Sequence, residues 1–167
     1  SVQEDFLDVI KTVGADHGTG EADIERVVKL MGIGAFISRH PGDLSGGEKQ
    51  KCAIAKLLLA KPRVIFLDEP TKGIDSYARR ELVGILRRLR DEGKCVICVS
   101  HDAEFAAECA DRCMLIFDGR PVCSGTPQEF FSENGFYTTG ASLIAREHFP
   151  LVVTCEQVVA ECRKAEM

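Results

Sequence analysis

The stretch VIFLDEP, residues 64–70, sets four apolar residues in a row and ends them with two carboxylates and a proline. A short run without polar alternation is the pattern of a strand buried on both faces, and such strands belong to parallel sheets. The next segment reads as a crossover helix. Between residues 75 and 90, Ala78, Leu82, Ile85, Leu86 and Leu89 fall on one stripe, and Gly93 stands where a C-terminal cap would sit. Residues 95–100 form a second apolar run, and residues 102–110 a short helix. Strand, helix, strand, helix in this order defines an α/β layer fold.

Outward from this centre, residues 3–40 read as helical, with a turn at Gly18–Gly20 and a periodic stretch in which Ile24, Val27, Val28 and Met31 recur at helix spacing. His40-Pro41-Gly42 reads as a loop, and a helix over 46–60 is stopped by Pro62. Downstream, residues 114–117 and 121–123 flank Asp118-Gly119, a tight-turn dipeptide, so the sheet is expected to end in an antiparallel ribbon. The tail from Thr126 reads as helices with a break near residue 135. The expected organisation is a helical subdomain over 1–60, a core sheet over 61–125 and a helical tail over 126–167.

A chain of 167 residues suits one sizeable core. Its apolar runs fall far short of the ~18 residues a membrane span needs. A net charge of −5 argues against general affinity for nucleic acid, which relies on clustered positive charge. The eight cysteines give poor metal sets: Cys95 and Cys98 lie three apart on a predicted strand and face opposite ways. With no signal sequence at the N-terminus, they read as small buried apolar residues of a reducing cytoplasm. The chain starts SVQEDFLD without Met and is expected to be a piece of something longer.

Ligands of open α/β sheets bind outside the carboxyl ends of the strands. There the first strand offers Asp68 and Glu69, whose side chains diverge. One carboxylate suits a hydrated Mg²⁺ and the other the orientation of an attacking water. The second strand is followed by His101, able to donate to a developing phosphoryl charge. Upstream, DLSGGEKQKCAIA, residues 43–55, pairs Ser45 with Glu48 at capping-box spacing, while Gly46 and Gly47 leave first-turn N–H groups unshielded for an anion.

Taken in order and spacing, Leu44 to Gln50, Val64 to Pro70, Gly73-Ile74-Asp75 and Val99 to Asp102 resemble the signature motif, Walker B strand, D-loop and switch histidine of the ATP-binding-cassette (ABC) ATPases. The resemblance implies part of a RecA-like P-loop core plus the helical subdomain. It implies ATP and Mg²⁺ as cofactors, with Asp68 supporting the metal through water, Glu69 as base or water-polarising group, and His101 touching the γ-phosphate. Ser45 and Gly47, with Gly46, Glu48 and Gln50, would bind the γ-phosphate side of a nucleotide held mainly by a facing domain. Asp75 would lie at the dimer seam. Glu48 stands where the family most often has glutamine, which favours its turning back to cap Ser45.

No stretch of the 167 residues reads GxxxxGK followed by Ser or Thr, so the chain alone is expected to lack turnover. Residues 127–150 resemble the C-terminal part of the second cassette of the double-cassette ATPases of bacterial energy-coupling-factor importers. The implied partners are a second ATPase domain and a transmembrane permease or coupling component, with the chain peripheral on the inner face of the membrane and vitamin or metal-ion uptake as the task. The alternative is a non-transport ABC ATPase acting on DNA or ribosomes. Its support is the cluster Arg79, Arg80, Arg87, Arg88 and Arg90, which also reads as a solvated helix face.

Overall fold

The computed structural model describes residues 1–17, 20–133, 135 and 137–165, and of residues 14–17 the backbone alone. The expected turn at Gly18–Gly20 and the break near residue 135 fall partly outside them. The chain divides into two compact units, Ser1–Val99 and Ser100–Met167.

The first unit runs α1 (Val2–His17), α2 (Glu21–Met31), two 3-10 turns (Gly34–Phe36 and Pro41–Asp43), α3 (Gly46–Leu59), β1 (Val64–Asp68), α4 (Ser76–Asp91) and β2 (Cys95–Val99). Each helix buries one stripe, as its apolar spacing requires: Ile24, Val27 and Met31 from α2, Cys52, Ala55 and Leu59 from α3, Leu82, Leu86 and Leu89 from α4. Charges hold the seams between helices. Lys56 of α3 bonds Asp5 of α1, and Lys51 of α3 lies 2.7 Å from Glu81 of α4.

Strands β1 and β2 pair in parallel, with Val64 opposite Cys95 and Asp68 opposite Val99, as a crossover through α4 demands. Their burial corrects the reading of strands covered on both sides. Ile65 and Leu67 are buried, whereas Phe66 is 71% exposed and Val99 62%, with Val64 and Ile97 also exposed. Alternate residues of a strand point to opposite faces. Helix α4 packs against β2 on one side, and the other face stays open.

The second unit runs α5 (Ala103–Cys109), β3 (Cys113–Phe117), β4 (Arg120–Gly125), α6 (Pro127–Glu133), α7 (Gly140–Ala145) and α8 (Cys155–Ala165). Asp118 and Gly119 both take positive φ, 49° and 71°, the geometry of a two-residue hairpin turn whose twist matches its strands. The register slips between Leu115 and Ile116, so Leu115 faces Cys123 and Ile116 faces Pro121. A bulge at this point accommodates a proline that cannot donate to the ladder. The ribbon is a two-stranded sheet of its own. Phe130, Phe131, Val153, Cys113 and Ala107 form the local core. Two tail helices start on sequence-local caps: Thr126 exchanges bonds with Glu129, and Thr154 with Gln157.

The cysteines depart from the expectation of burial. Cys95, Cys123, Cys155 and Cys162 are exposed, the first on the open face of β2, the second on the ribbon, the last two on α8, which buries no residue. Burial pushes the thiols of Cys98 and Cys113 up to about 11. No helix among the described residues is long and apolar enough to cross a membrane.

Candidate functional site

The start of α3 gathers five of the predicted residues. Ser45, in extended conformation, accepts the Glu48 N–H on Oγ at 3.3 Å, and Glu48 Oε2 accepts the Ser45 N–H at 2.8 Å. The capping box is therefore closed in both directions. It occupies the N–H groups of Ser45 and Glu48 and leaves those of Gly46 and Gly47 outside it, at the positive end of the helix dipole. Bonding to the Ser45 N–H, with the Arg39 guanidinium 3.7 Å away, holds the Glu48 carboxyl below its ordinary range. A glutamate is thus accommodated beside an anion-attracting helix end because its charge is turned back and matched. Gln50 sits half-buried one turn on.

At the end of β1 the chain makes a strained turn. Glu69 adopts φ 46°, a left-handed conformation disfavoured for residues with a Cβ. Its N–H donates to the Val99 carbonyl at 2.8 Å, adding one bond to the parallel pairing, and its carbonyl accepts the Lys72 N–H at 3.0 Å. Backbone bonding on both sides maintains the unusual φ. The turn separates the two carboxylates: Asp68 is exposed and Glu69 half-buried. Two adjacent acids therefore meet different surroundings, the condition for different roles.

Beyond Gly73 the loop delivers Asp75 to the head of α4, where Oδ1 accepts the Ala78 N–H at 2.8 Å. The carboxylate expected at a dimer seam has a capping task within its own chain. Among the described residues no group of three or more His, Cys, Asp or Glu side chains could hold a metal ion. The single exposed Asp68 carboxylate suits Mg²⁺ in another way. This ion keeps most of its waters and is commonly held by one or two carboxylates together with substrate phosphates. The donor set fits an ion delivered with a nucleotide.

His101 belongs to the second unit and is exposed there. The turn that carries it is braced on several sides. Ser100 Oγ accepts the Asp102 N–H at 3.2 Å, Asp102 Oδ1 caps α5 through the Phe105 N–H at 2.9 Å, and the Tyr137 hydroxyl donates to the His101 carbonyl at 3.0 Å. Glu104 accepts the Gly140 N–H at 2.8 Å, a second tie between this turn and the tail.

Sequence reasoning missed Arg39, Lys51 and Tyr137. The partners of Lys51 and Tyr137 lie 30 and 36 residues away, so no local spacing could have shown them. Arg39 meets Glu48 across the 3-10 turn Pro41–Asp43.

Residues 1–72 match the family described as ABC transporter, and residues 38–107 match the family described as AAA domain, putative AbiEii toxin, Type IV TA system. A Bacillus cereus protein named putative ABC transporter ATP-binding protein is 41% identical over 143 residues, 86% of this chain and 26% of its own length. The energy-coupling factor transporter ATP-binding protein EcfA3 of Oenococcus oeni is 30% identical over 137 residues, 81% of this chain and 48% of its own length. The solved structure of cbiO1 from Clostridium perfringens, described as part of the ABC transporter complex cbiONQ, matches with a TM-score of 0.65 at 28% identity, covering 77% of this chain and 50% of that one. The chain spans 26% of the length of the Bacillus relative and about half of the other two.

Proposed function

Over residues 1–72 this chain belongs to the ABC transporter family, and from that premise we propose that it is the signature-bearing and Walker B portion of an importer's ATPase. The observation that carries the reading is the closed Ser45–Glu48 capping box, on a helix whose first two residues are glycines, in the same compact unit as the strained Asp68–Glu69 strand end. One element offers unshielded donors to a phosphate, the other a water-orienting carboxylate.

In this proposal Ser45, Gly46 and Gly47 grip the γ-phosphate of ATP, with Glu48 and Gln50 completing the helix end. Glu69 orients and polarises the attacking water. Asp68 holds the hydration shell of Mg²⁺, which, when bound, neutralises phosphate charge. His101 donates to the γ-phosphate, and Asp75 meets the facing domain. With no phosphate-wrapping loop among the 167 residues, the nucleotide is held by that facing domain, and the isolated chain does not turn over.

The importer reading extends to partners and place: a second ATPase domain, a transmembrane coupling component, and a position on the cytoplasmic face of the membrane. The tail's resemblance to energy-coupling-factor cassettes supports vitamin or metal-ion uptake, the solute being selected by the membrane component. Residues 1–60 then serve as helical subdomain, 61–125 as core sheet and 126–167 as tail.

The test uses a cassette carrying a GxxxxGK loop as partner. MgATP is expected to drive association of this chain with it. Ser45→Asp should abolish that association while leaving stability unchanged, because aspartate caps a helix as well as serine but sets a negative charge against the phosphate. Association indifferent to Ser45→Asp would sink the assignment. Tight, saturable binding of duplex DNA or RNA at physiological salt would instead favour the non-transport alternative.

A further inference from the structure

The two glycines that open α3 are not in open space. A Cβ built on Gly46 would lie 2.6 Å from the carbonyl oxygen of Gly73, and one built on Gly47 would lie 2.8 Å from Cβ of Ala78. Neither neighbour can swing aside. One is backbone, and the other is fixed to backbone in the first turn of α4. Gly73 holds φ 75°, and two residues later Asp75 caps α4 through the Ala78 N–H. One turn along, the Lys51–Glu81 ion pair fastens the same two helices.

We infer that Gly46 and Gly47 are positioning residues: their missing side chains let the start of α3 seat on the Gly73–Ala78 turn, so that Ser45 and Asp75 are placed by one shared backbone contact. Access for a phosphate would require only room in front of the helix. What the glycines face is the neighbouring turn. Two side chains that the proposed mechanism assigns to different jobs, phosphate grip and dimer seam, therefore stand in fixed register with each other. That consequence for the reaction rests on the nucleotide-facing role proposed above, whereas the contact itself does not.

Amide hydrogen exchange on the 167-residue chain, without nucleotide, tests the contact independently of that role. In Gly46→Ala, exchange at both the Glu48 N–H, held by Ser45, and the Ala78 N–H, held by Asp75, should accelerate about tenfold or more, the effect of overpacking against backbone. Gly47→Ala should do the same. Adding Ala78→Gly to it removes the colliding carbon and should restore both amides to about the rates of an Ala78→Gly control. Changes confined to α3 in Gly46→Ala, or no restoration of Gly47→Ala by Ala78→Gly, would overturn the inference. Should Gly46→Ala fail to fold, the Gly47 and Ala78 pair decides alone.

Discussion

Replacing Glu69 with glycine is expected to stabilise the chain while deleting the carboxylate assigned to water activation. At φ 46° a residue with a Cβ pays about 1–2 kcal/mol for the left-handed conformation. Glycine removes that strain but adds about 0.5–1 kcal/mol of unfolded-state entropy. The bonds that fix the turn, from the Glu69 N–H to Val99 and from the Lys72 N–H to Glu69, are backbone and survive the change. The net gain is about 0–1.5 kcal/mol, or up to roughly 6 °C in Tm for a chain of this size. Glu69→Gln keeps the Cβ and the strain, so it should show none of this gain. Glu69→Asn, which tolerates the left-handed region, should fall between the two. Urea unfolding followed by far-UV circular dichroism gives all four values. A Glu69→Gly variant less stable than Glu69→Gln by more than about 1 kcal/mol would refute the strain assignment, whatever the enzymology.

Three further outcomes are open to measurement. The Glu48 carboxyl is held below its ordinary value, so its contribution to stability is present above about pH 4.5 and is lost as pH falls through the lower folded-state value. Wild type should therefore lose more stability than Glu48→Gln between about pH 6 and about pH 3, and parallel profiles would count against a capping role for the carboxylate. Leu89, fully buried on α4, should cost about 2–5 kcal/mol on truncation to alanine, read by calorimetry, and a loss under about 1 kcal/mol would contradict the packing. On the open sheet face, Val64, Phe66, Ile97 and Val99 expose contiguous apolar surface that a second copy of the chain can cover. Sedimentation velocity should show concentration-dependent association that Phe66→Asp weakens, and a stable monomer at high concentration in the parent would be the contrary result.

The parts of this fold that sequence revealed are those whose cause is local. Ser45-x-x-Glu48 carries its own capping geometry, and both partners were found bonded. Residues 64–68 and 95–99 carry a strand pattern that pairs in the parallel register the intervening helix demands. Asp118-Gly119 specifies a turn type by its tolerance of positive φ. What escaped is decided by surroundings. An apolar run tells what a strand is suited to lie beneath, and it cannot tell that one face of β1 stays uncovered, with Phe66 at 71% exposure. The strain at Glu69 is imposed by Val99, thirty residues away in sequence but adjacent in the sheet. At Gly46 and Gly47 spacing shows an absent side chain, and it cannot show the Gly73 carbonyl and Ala78 methyl that a Cβ there would meet. The Tyr137 brace on His101 had no signature at all, since a hydroxyl meeting a backbone carbonyl leaves no pattern in residue types.

As proposed, this chain supplies the signature and water-activating side of a nucleotide site whose phosphate-binding loop comes from elsewhere. Steady-state ATP hydrolysis by the purified 167-residue chain, beside a Glu69→Gln control, is the decisive measurement. The expected result is no turnover above the control for the chain alone, with Glu69-dependent turnover arising once a cassette bearing a GxxxxGK loop is added. Robust hydrolysis by the chain alone that Glu69→Gln abolishes would contradict it, and would mean that these residues hold a complete site.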